Sequence, residues 1–431
     1  MRAGSSLQYA QCYTGLHQEN IHQFLPSMAG TKSLRQDERP PATFRTVLMT
    51  VPEIDPFHTV TLSTLAHRLA ADGRSIIHME FGQPSTSAPK AAVARAHHVL
   101  DTDPMGYWES DPLKERIARH YADSYGVTVK PEQITLTAGA SVALVLALTS
   151  CFVPGMRVAL ARPGYVAYRN TLRALHMEAV EIPCGESVRF QLTAEAVAAL
   201  SPAPDGLIIA SPANPTGTIL SAEELSAIVE VCRARGIRII SDEIYHGLSF
   251  GEPAHSVLEY DDTALVVNSF SKYFSMAPWR LGWLVAPEDR IDAVKARMGN
   301  MFLTPSSLSQ HAALVAFDCH DELDGHLETY RRNRDLLLEA LPVWGLRHIA
   351  PPDGAFYIYA DIGHLTDDSL AFCTRLLEDT GVATAPGIDF DPVDGKHFIR
   401  FSFAVSTNRI REAIRRMTPW FIERTAEAKT S

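Results

Sequence analysis

The chain has 431 residues, a length that predicts two or three domains and ample material for a large core. Hydrophobic residues make up 46% and charged residues 21%, and no apolar run reaches the roughly 18 residues that suggest a membrane span. The formal charge of -11 argues against a nucleic-acid backbone as the main partner, although a local basic pocket for a small anion stays compatible with it.

The N-terminal region and the cysteines indicate the cellular compartment. Residues 1–42 are polar and are predicted to form a disordered extension. They lack the charged start and apolar core of a secretory signal. The six cysteines are far apart and form no CxxC pair, which argues against a disulfide framework or a zinc site. We therefore expect a cytoplasmic protein with reduced thiols.

A mostly parallel sheet is predicted between residues 86 and 324, the large domain, where short apolar runs alternate with helical patterns. We expect helices on both faces of this sheet. The segment 281–286 follows its predecessor too closely for a crossover helix, so it should run antiparallel. The other predicted strands span residues 133–137, 157–161, 206–210, 237–241 and 264–268.

The pattern changes after about residue 325, where a smaller α+β domain (325–431) is predicted. It begins with an amphipathic helix over 327–341 and ends with a helix that starts near Asn408. Two strands lie between these helices, at 355–359 and 398–403. Residues 43–85 are predicted to pack back onto this small domain.

Three polar residues follow neighbouring strands of the predicted sheet. Asn214, Asp242 and Lys272 are separated by 28 and 30 residues, each about one β-α-β step. Open α/β sheets bind ligands beyond the carboxyl ends of their strands. We therefore expect the three side chains to line one edge of a binding crevice.

Lys272 is the strongest candidate for a reactive group. A lysine at the end of an apolar strand is costly to bury, and burial lowers its pKa until the neutral amine can attack an aldehyde such as that of pyridoxal phosphate. Arg280 follows eight residues later, and its guanidinium suits a phosphate group. Hydroxyls of Ser269 and Ser271 can add hydrogen bonds to the same anion.

The surrounding candidates also fit this cofactor. The carboxylate of Asp242 supplies the counter-charge that keeps a pyridine nitrogen protonated. Asn214 and Tyr245 can donate hydrogen bonds to the phenolic oxygen of the ring. The turn at 139–141 begins a helix, and its backbone N–H groups can bind phosphate. Tyr165 is the candidate to cover the face of the ring.

Four ordered motifs resemble those of the class I/II aminotransferases, a family of the pyridoxal phosphate fold-type I superfamily. They read Asn-Pro-Thr-Gly, Asp-Glu-Ile-Tyr, Ser-x-Ser-Lys…Trp-Arg-Leu-Gly and Arg-Phe-Ser-Phe. The resemblance covers about residues 45 to 420. It implies an α/β fold in which a mostly parallel seven-stranded sheet with helices on both faces is joined to a small α+β domain.

The resemblance also implies a reaction and the residues that perform it. An amino group moves from an L-amino acid to a 2-oxo acid by a ping-pong mechanism. Lys272 would join the cofactor covalently and then carry a proton between Cα and the C4′ atom. Asp242 would pair with the pyridine nitrogen, while Tyr245 and Asn214 would contact the ring oxygen.

Further positions match the parts of the family's site that bind anionic groups. Arg400 matches the arginine that grips the α-carboxylate of the substrate, and Gly82 lines the same pocket. With Asn214 they are the implied substrate-binding residues. The phosphate-binding positions are matched by Ala140, Ser141, Ser269 and Arg280.

A homodimer is implied as well. Tyr107 resembles a tyrosine that reaches across the dimer interface to the partner's phosphate site. The stretch between Tyr107 and Leu113 is about three residues shorter than in the family, which leaves Trp108 as an alternative for that role.

Two other functions share the scaffold. A lyase would form the same carbanion but eliminate a β-substituent or close a ring, and it would release ammonia continuously from an amino acid alone. A DNA-binding regulator needs a helix-turn-helix module, which the polar N-terminal residues cannot form. We predict no metal site, since the histidine pairs His97 with His98 and His320 with His326 have no familiar ligand spacing.

Overall fold

The computed structural model describes residues 51–428. The predicted disordered extension and residues 43–50 of the N-terminal segment therefore lie outside the described residues. The strands within 51–428 form three sheets, of seven, three and two strands. In chain order they are β1 (Ile77–His78), β2 (Ile134–Thr137), β3 (Arg157–Arg162), β4 (Glu178–Pro183), β5 (Gly206–Ala210), β6 (Arg238–Asp242), β7 (Leu265–Ser269), β8 (Gly282–Val285), β9 (Tyr357–Asp361), β10 (Val382–Ala383), β11 (Ala385–Pro386) and β12 (Phe398–Ser402).

The α-helices of the same part of the chain separate and flank these strands. In chain order they are α1 (His58–Ala71), α2 (Lys90–Thr102), α3 (Asp111–Tyr125), α4 (Ala140–Cys151), α5 (Val166–Ala174), α6 (Ala194–Ala198), α7 (Ala222–Arg235), α8 (Ile291–Met301), α9 (Ser307–Ala316), α10 (His320–Ala340), α11 (Ser369–Thr380) and α12 (Thr407–Ala428).

The large sheet has the strand order β2-β8-β7-β6-β5-β3-β4. Strand β8 pairs antiparallel with β2 and β7, and the other neighbours in the sheet are parallel. The predicted sheet and its antiparallel return are confirmed. Edge strand β4 was not predicted, because Glu178 and Glu181 interrupt its apolar pattern.

Helices cover both faces of this sheet, as expected from strands that are buried on both sides. In β7 the side chains of Leu265 and Val267 pack in a core with α4, α5 and α8. Val266 points the other way, into a core with α2, α3, α7 and α9. Because both faces of β7 are buried, its sequence begins as a continuous apolar run.

A further core is built around β9 and β12, from α1, α10, α11 and α12. The segment before the large sheet also packs in this core, since Ile77 of β1 pairs in parallel with Val382 of β10. Helix α10 begins at His320, seven residues before the predicted start, and Asp321 and Glu322 stabilise its first turn. The domain boundaries at residues 85 and 324 stay a prediction.

No helix within residues 51–428 combines the length and the apolarity needed to cross a membrane. In the same range, no three His, Cys, Asp or Glu side chains are arranged to hold a metal ion. The cysteines of the described range are all free thiols.

Candidate active site

The carboxyl ends of the parallel strands open onto one cavity of about 750 Å³. Segments after β2, β3, β5, β6 and β7 each contribute side chains to it, as the crevice rule predicts. The cavity brings together most of the predicted site residues: Gly82, Ala140, Ser141, Tyr165, Asn214, Asp242, Tyr245, Lys272, Arg280 and Arg400.

Lys272 lies in the turn after β7 and extends its amine into the cavity. Its Nζ donates a hydrogen bond to the carbonyl oxygen of Gly82 at 2.5 Å and lies 5.7 Å from the ring centre of Tyr245. Burial lowers the pKa of Lys272 to about 8, and the positive charges of Arg400 and Arg280 act in the same direction. A substantial fraction of the amine is therefore neutral near pH 8.

Labelling of the cofactor-free protein tests this lowered pKa. The rate at which a small acylating reagent modifies Lys272 should rise with pH and level off just above pH 8, because only the neutral amine reacts. An unperturbed lysine titrates near about 10.4. Mass spectrometry of peptides gives the rate, with the peptide carrying exposed Lys295 as internal reference. A Lys272 rate still climbing steeply at pH 10 would contradict the buried electrostatics.

Asp242 ends β6 and is 7% exposed. Its Oδ2 accepts a hydrogen bond from the Tyr168 hydroxyl at 2.6 Å, and its Oδ1 accepts one from the backbone N–H of Ile244 at 3.1 Å. Burial raises the pKa of Asp242, while these hydrogen bonds and the charge of Lys272 partly oppose the rise. A cation that approached the carboxylate from the cavity would stabilise its ionised form.

Arg400, in β12, is 2% exposed. Its Nη1 donates to Oδ1 of Asn214 at 2.8 Å, and its Nη2 donates to the carbonyl oxygen of Glu80. The rings of Tyr357 and Phe390 lie 4.5 and 4.6 Å from the guanidinium carbon. Its Nε is buried without a hydrogen-bond partner. A buried cation held by neutral groups is suited to bind a carboxylate from outside the chain.

A pair of buried tyrosines connects these regions. The hydroxyl oxygens of Tyr245 and Tyr357 share a hydrogen bond of 2.6 Å. Gly82 packs against the same hydroxyl of Tyr357, since a Cβ at position 82 would lie 1.8 Å from it. Glycine is therefore required there by close approach.

The other end of the cavity is built for an anion. Gly139 has φ +87 and precedes the N-terminus of α4, whose first residues line the cavity. A Cβ on Gly139 would lie 2.4 Å from Nη2 of Arg280. Nη1 of Arg280 lies 3.5 Å from Oγ of Ser271. The helix terminus and the guanidinium thus converge on one place.

Ser269 has a different environment from the other predicted phosphate-binding residues. Its hydroxyl is buried, donates to the carbonyl of Leu281 at 2.9 Å, lies 2.8 Å from Oγ of Ser271, and does not line the cavity. Ser271 does line it. The direct contact assigned to Ser269 stays a prediction, and in this structure Ser269 orients Ser271.

The balance of charge in the cavity is positive. Lys272, Arg280 and Arg400 line it, and Asp242 is the carboxylate among its lining residues. Within residues 51–428, none of the three cations has a carboxylate within 4.0 Å. The donor set therefore fits a ligand with two anionic groups and a cationic ring atom.

Comparisons with known proteins agree with this chemistry. A model of the family described as aminotransferase class I and II matches residues 75–417. The chain belongs to the class I and II aminotransferases. It is 46% identical over 374 residues to a valine–pyruvate aminotransferase of Mycobacterium tuberculosis, across 85% of this chain and 96% of that relative. The family depends on pyridoxal phosphate.

Other relatives are more distant in sequence but cover as much of the chain. An aspartate aminotransferase of Thermotoga maritima is 30% identical across 85% of this chain and 97% of its own length. A crystal structure of an aminotransferase from Mycobacterium tuberculosis superposes with a TM-score of 0.84 at 44% identity, covering 86% of this chain and 97% of that one. The predicted fold and the aminotransferase activity are confirmed, and nothing in the comparisons supports the lyase alternative.

The sequence did not reveal two further residues that line this cavity, Tyr168 and Tyr357. Tyr165 immediately precedes α5 and Tyr168 follows three residues later in the first turn, and their rings meet edge to face with 5.4 Å between ring centres. That spacing was an available signal. Tyr357 lies in a strand that was predicted, and only its contact with Tyr245 distinguishes it from a core residue.

Tyr107 and Trp108 lie apart from this cavity. The side chain of Tyr107 is 84% exposed. Trp108 stacks on His311 with 4.8 Å between ring centres, and its carbonyl accepts a hydrogen bond from Gln310. Tyr107 thus has the freer side chain of the two, and its role at an interface stays a prediction.

Proposed function

We propose that this aminotransferase transfers the amino group of an L-amino acid with an apolar side chain to a 2-oxo acid by a ping-pong reaction, with pyridoxal phosphate held at Lys272. The observation that carries the proposal is one cavity in which the amine of Lys272, the carboxylate of Asp242 and the guanidinium of Arg400, which has no carboxylate partner among the described residues, converge. When bound, the cofactor supplies an aldehyde that exchanges amino groups and a cationic ring that accepts electrons.

Asp242, Tyr245, Asn214 and Arg280 are the residues proposed to hold and tune the cofactor. The ionised carboxylate of Asp242 would bind the ring nitrogen, and the hydroxyl of Tyr168 fixes its orientation. Because Oδ1 of Asn214 accepts from Arg400, its Nδ2 is left to donate to the ring oxygen. Arg280, with the N-terminus of α4, would bind the phosphate.

The proton transfer is assigned to Lys272. As a neutral amine, its Nζ can accept the Cα proton of the substrate and later release it. The pKa lowered to about 8 leaves a substantial fraction of this amine neutral near pH 8. Its hydrogen bond to the carbonyl of Gly82 restrains the flexible side chain at the wall of the cavity.

Arg400 is proposed to orient the substrate. Two-point binding of an α-carboxylate by the guanidinium fixes the direction of the bonds to Cα. Asn214 and the backbone of Glu80 hold the guanidinium from behind, and Tyr357 covers its face. The backbone of Gly82 lines the same end of the cavity.

The proposed preference for an apolar side chain follows from the remaining wall. Apart from Lys272, Arg280 and Arg400, no cationic side chain of the described chain lines the cavity. The apolar lining includes Phe57, Phe81, Leu144, Val145 and Ile244. A second carboxylate buried there without a cation would be strongly disfavoured. The relative that acts on valine and pyruvate by its name supports the same class of substrate.

A panel of amino donors tests the proposed function. With pyruvate as acceptor, valine, alanine and phenylalanine should be used with a kcat/KM at least about 100-fold above that of aspartate, because the aspartate side chain meets no cation. Each donor alone should stop after one turnover per site, without continuous release of ammonia. Equal use of aspartate would overturn the substrate class, and continuous ammonia release would overturn the reaction.

We further infer a homodimer with an active site completed at the interface, and a cytoplasmic location. Exposed Tyr107 supports the first, as it is available to a partner's phosphate site. Free thiols among the described cysteines support the second.

A further inference from the structure

A short extended segment, residues 77–82, carries the backbone contacts of two functional cations. The carbonyl of Glu80 accepts from Arg400, and the carbonyl of Gly82 accepts from Lys272. The segment is fixed on both sides immediately before Glu80, because the N–H of Met79 donates to the carbonyl of Ala383 at 2.9 Å and the carbonyl of Met79 accepts from the N–H of Ser402 at 2.8 Å. Movement of this segment would therefore displace both cations.

The side chain of Glu80 is the unusual feature of this segment. It is 0% exposed, its Oε1 accepts a hydrogen bond from Nδ1 of His78 at 2.7 Å, and its Oε2 is buried without a partner. His78 is 38% exposed, and no other cation of the described chain lies within 4.0 Å of this carboxylate. A buried carboxylate is stable only when a cation or several donors compensate it, so His78 has a large share in holding Glu80 in place.

We propose that His78 and Glu80 act together as positioning residues, whose ion pair fixes the segment 77–82 and thereby the grip of Arg400 on the substrate carboxylate. The inference rests on the proposed role of Arg400. Loss of the charge on His78 leaves the carboxylate of Glu80 buried and uncompensated. The segment then relaxes, and the carbonyl of Glu80 no longer holds Nη2 of Arg400 in its place.

The groups around His78 define how the pair depends on pH. The hydrogen bond to Glu80 raises the pKa of His78, burial and the charge of Arg409 oppose the rise, and the ring of His67 lies 4.8 Å from that of His78. Arg409 donates to the carbonyl of Ile76 at 3.2 Å. His78 is charged below its raised pKa, so the pair is complete at acidic pH and is lost as pH rises through that value.

The test compares His78→Gln, the double variant His78→Gln/Glu80→Gln and the control His67→Gln as holoenzymes. At pH 6, His78→Gln should raise the KM for valine by about tenfold, with a smaller change in kcat. The inhibition constant of 3-methylbutanoate, a carboxylate that cannot react, should rise in parallel. The double variant removes the buried charge and should restore KM to within about threefold of wild type. His67→Gln should leave KM unchanged.

The pH profile separates positioning from simple packing. The ratio of the KM of His78→Gln to that of wild type should be largest at acidic pH and fall towards one as the wild-type His78 loses its proton. The ionisation of the substrate cancels in this ratio. A ratio that is constant with pH, an unchanged KM at pH 6, or no rescue in the double variant would overturn the inference. Absence of amino transfer in the wild type would instead overturn the proposed function.

Discussion

Replacing Lys272 by alanine is expected to abolish amino transfer while leaving the fold intact. In the proposed reaction the side chain would supply both the covalent attachment and the base for the Cα proton, so we expect a loss of at least about 10⁴-fold in the rate of the half-reaction. Removing a half-buried cation that lacks a carboxylate partner costs the fold little. Rapid mixing with valine measures the half-reaction, and thermal unfolding measures the fold.

Lys295→Ala is the matched control, because Lys295 is an exposed lysine on α8 and should leave the rate unchanged. Borohydride treatment of the wild-type holoenzyme, followed by peptide mapping, should place the reduced cofactor on the peptide with residue 272. Near-normal activity in Lys272→Ala, or a reduced cofactor found elsewhere, would refute the assignment.

The position of the site was predictable because parallel strands end at one edge. Asn214, Asp242 and Lys272 each follow a strand whose branched apolar residues mark it clearly, and β5, β6 and β7 are indeed neighbours in the sheet. Spacing of one β-α-β step then aligned the three side chains. Local sequence and topology together sufficed for this part of the site.

Contacts between distant segments were not predictable. The hydrogen bond between Tyr245 and Tyr357 joins residues 112 positions apart, and that between Arg400 and Asn214 spans 186. Contacts between residues so far apart in the sequence depend on how the core around β9 and β12 packs against the large sheet. No local sequence pattern encodes this packing. The contact between the Glu80 carbonyl and Arg400 was missed for the same reason, since 320 positions separate the two residues.

Edges and exact contacts were the weaker part of the sequence prediction. Strand β4 was missed because an edge strand tolerates the charges of Glu178 and Glu181. The phosphate contact of Ser269 stays a prediction, and in this structure its hydroxyl lies next to Ser271 and the carbonyl of Leu281. In a continuous strand, side chains two residues apart, such as those of Ser269 and Ser271, would face the same side. The turn after β7 interrupts this alternation, and of the two serines only Ser271 lines the cavity.

Removing the negative charge of Asp242 is expected to have the second large effect. Asp242→Asn should slow the removal of the Cα proton by at least about 10³-fold, because a neutral amide cannot stabilise a cationic ring nitrogen. The loss of deuterium from Cα-deuterated valine measures this step directly. Asp242→Ala should be slower still and less stable by about 1–3 kcal/mol, since it leaves the buried hydroxyl of Tyr168 without an acceptor.

Tyr168→Phe is the variant that separates charge from orientation. It keeps the carboxylate but removes the hydrogen bond to Oδ2, so we expect only about a tenfold decrease in the same step. If charge dominates, removal of the Cα proton is much slower in Asp242→Asn than in Tyr168→Phe, although both substitutions nearly preserve the volume of the side chain. Equal effects would mean that Asp242 acts mainly by anchoring the tyrosine, and an unchanged rate in Asp242→Asn would remove it from the mechanism. Asp242 is 7% exposed and its Oδ2 accepts the Tyr168 hydrogen bond at 2.6 Å. The relative rates of these variants therefore test directly how charge and hydrogen bonding act at this buried carboxylate.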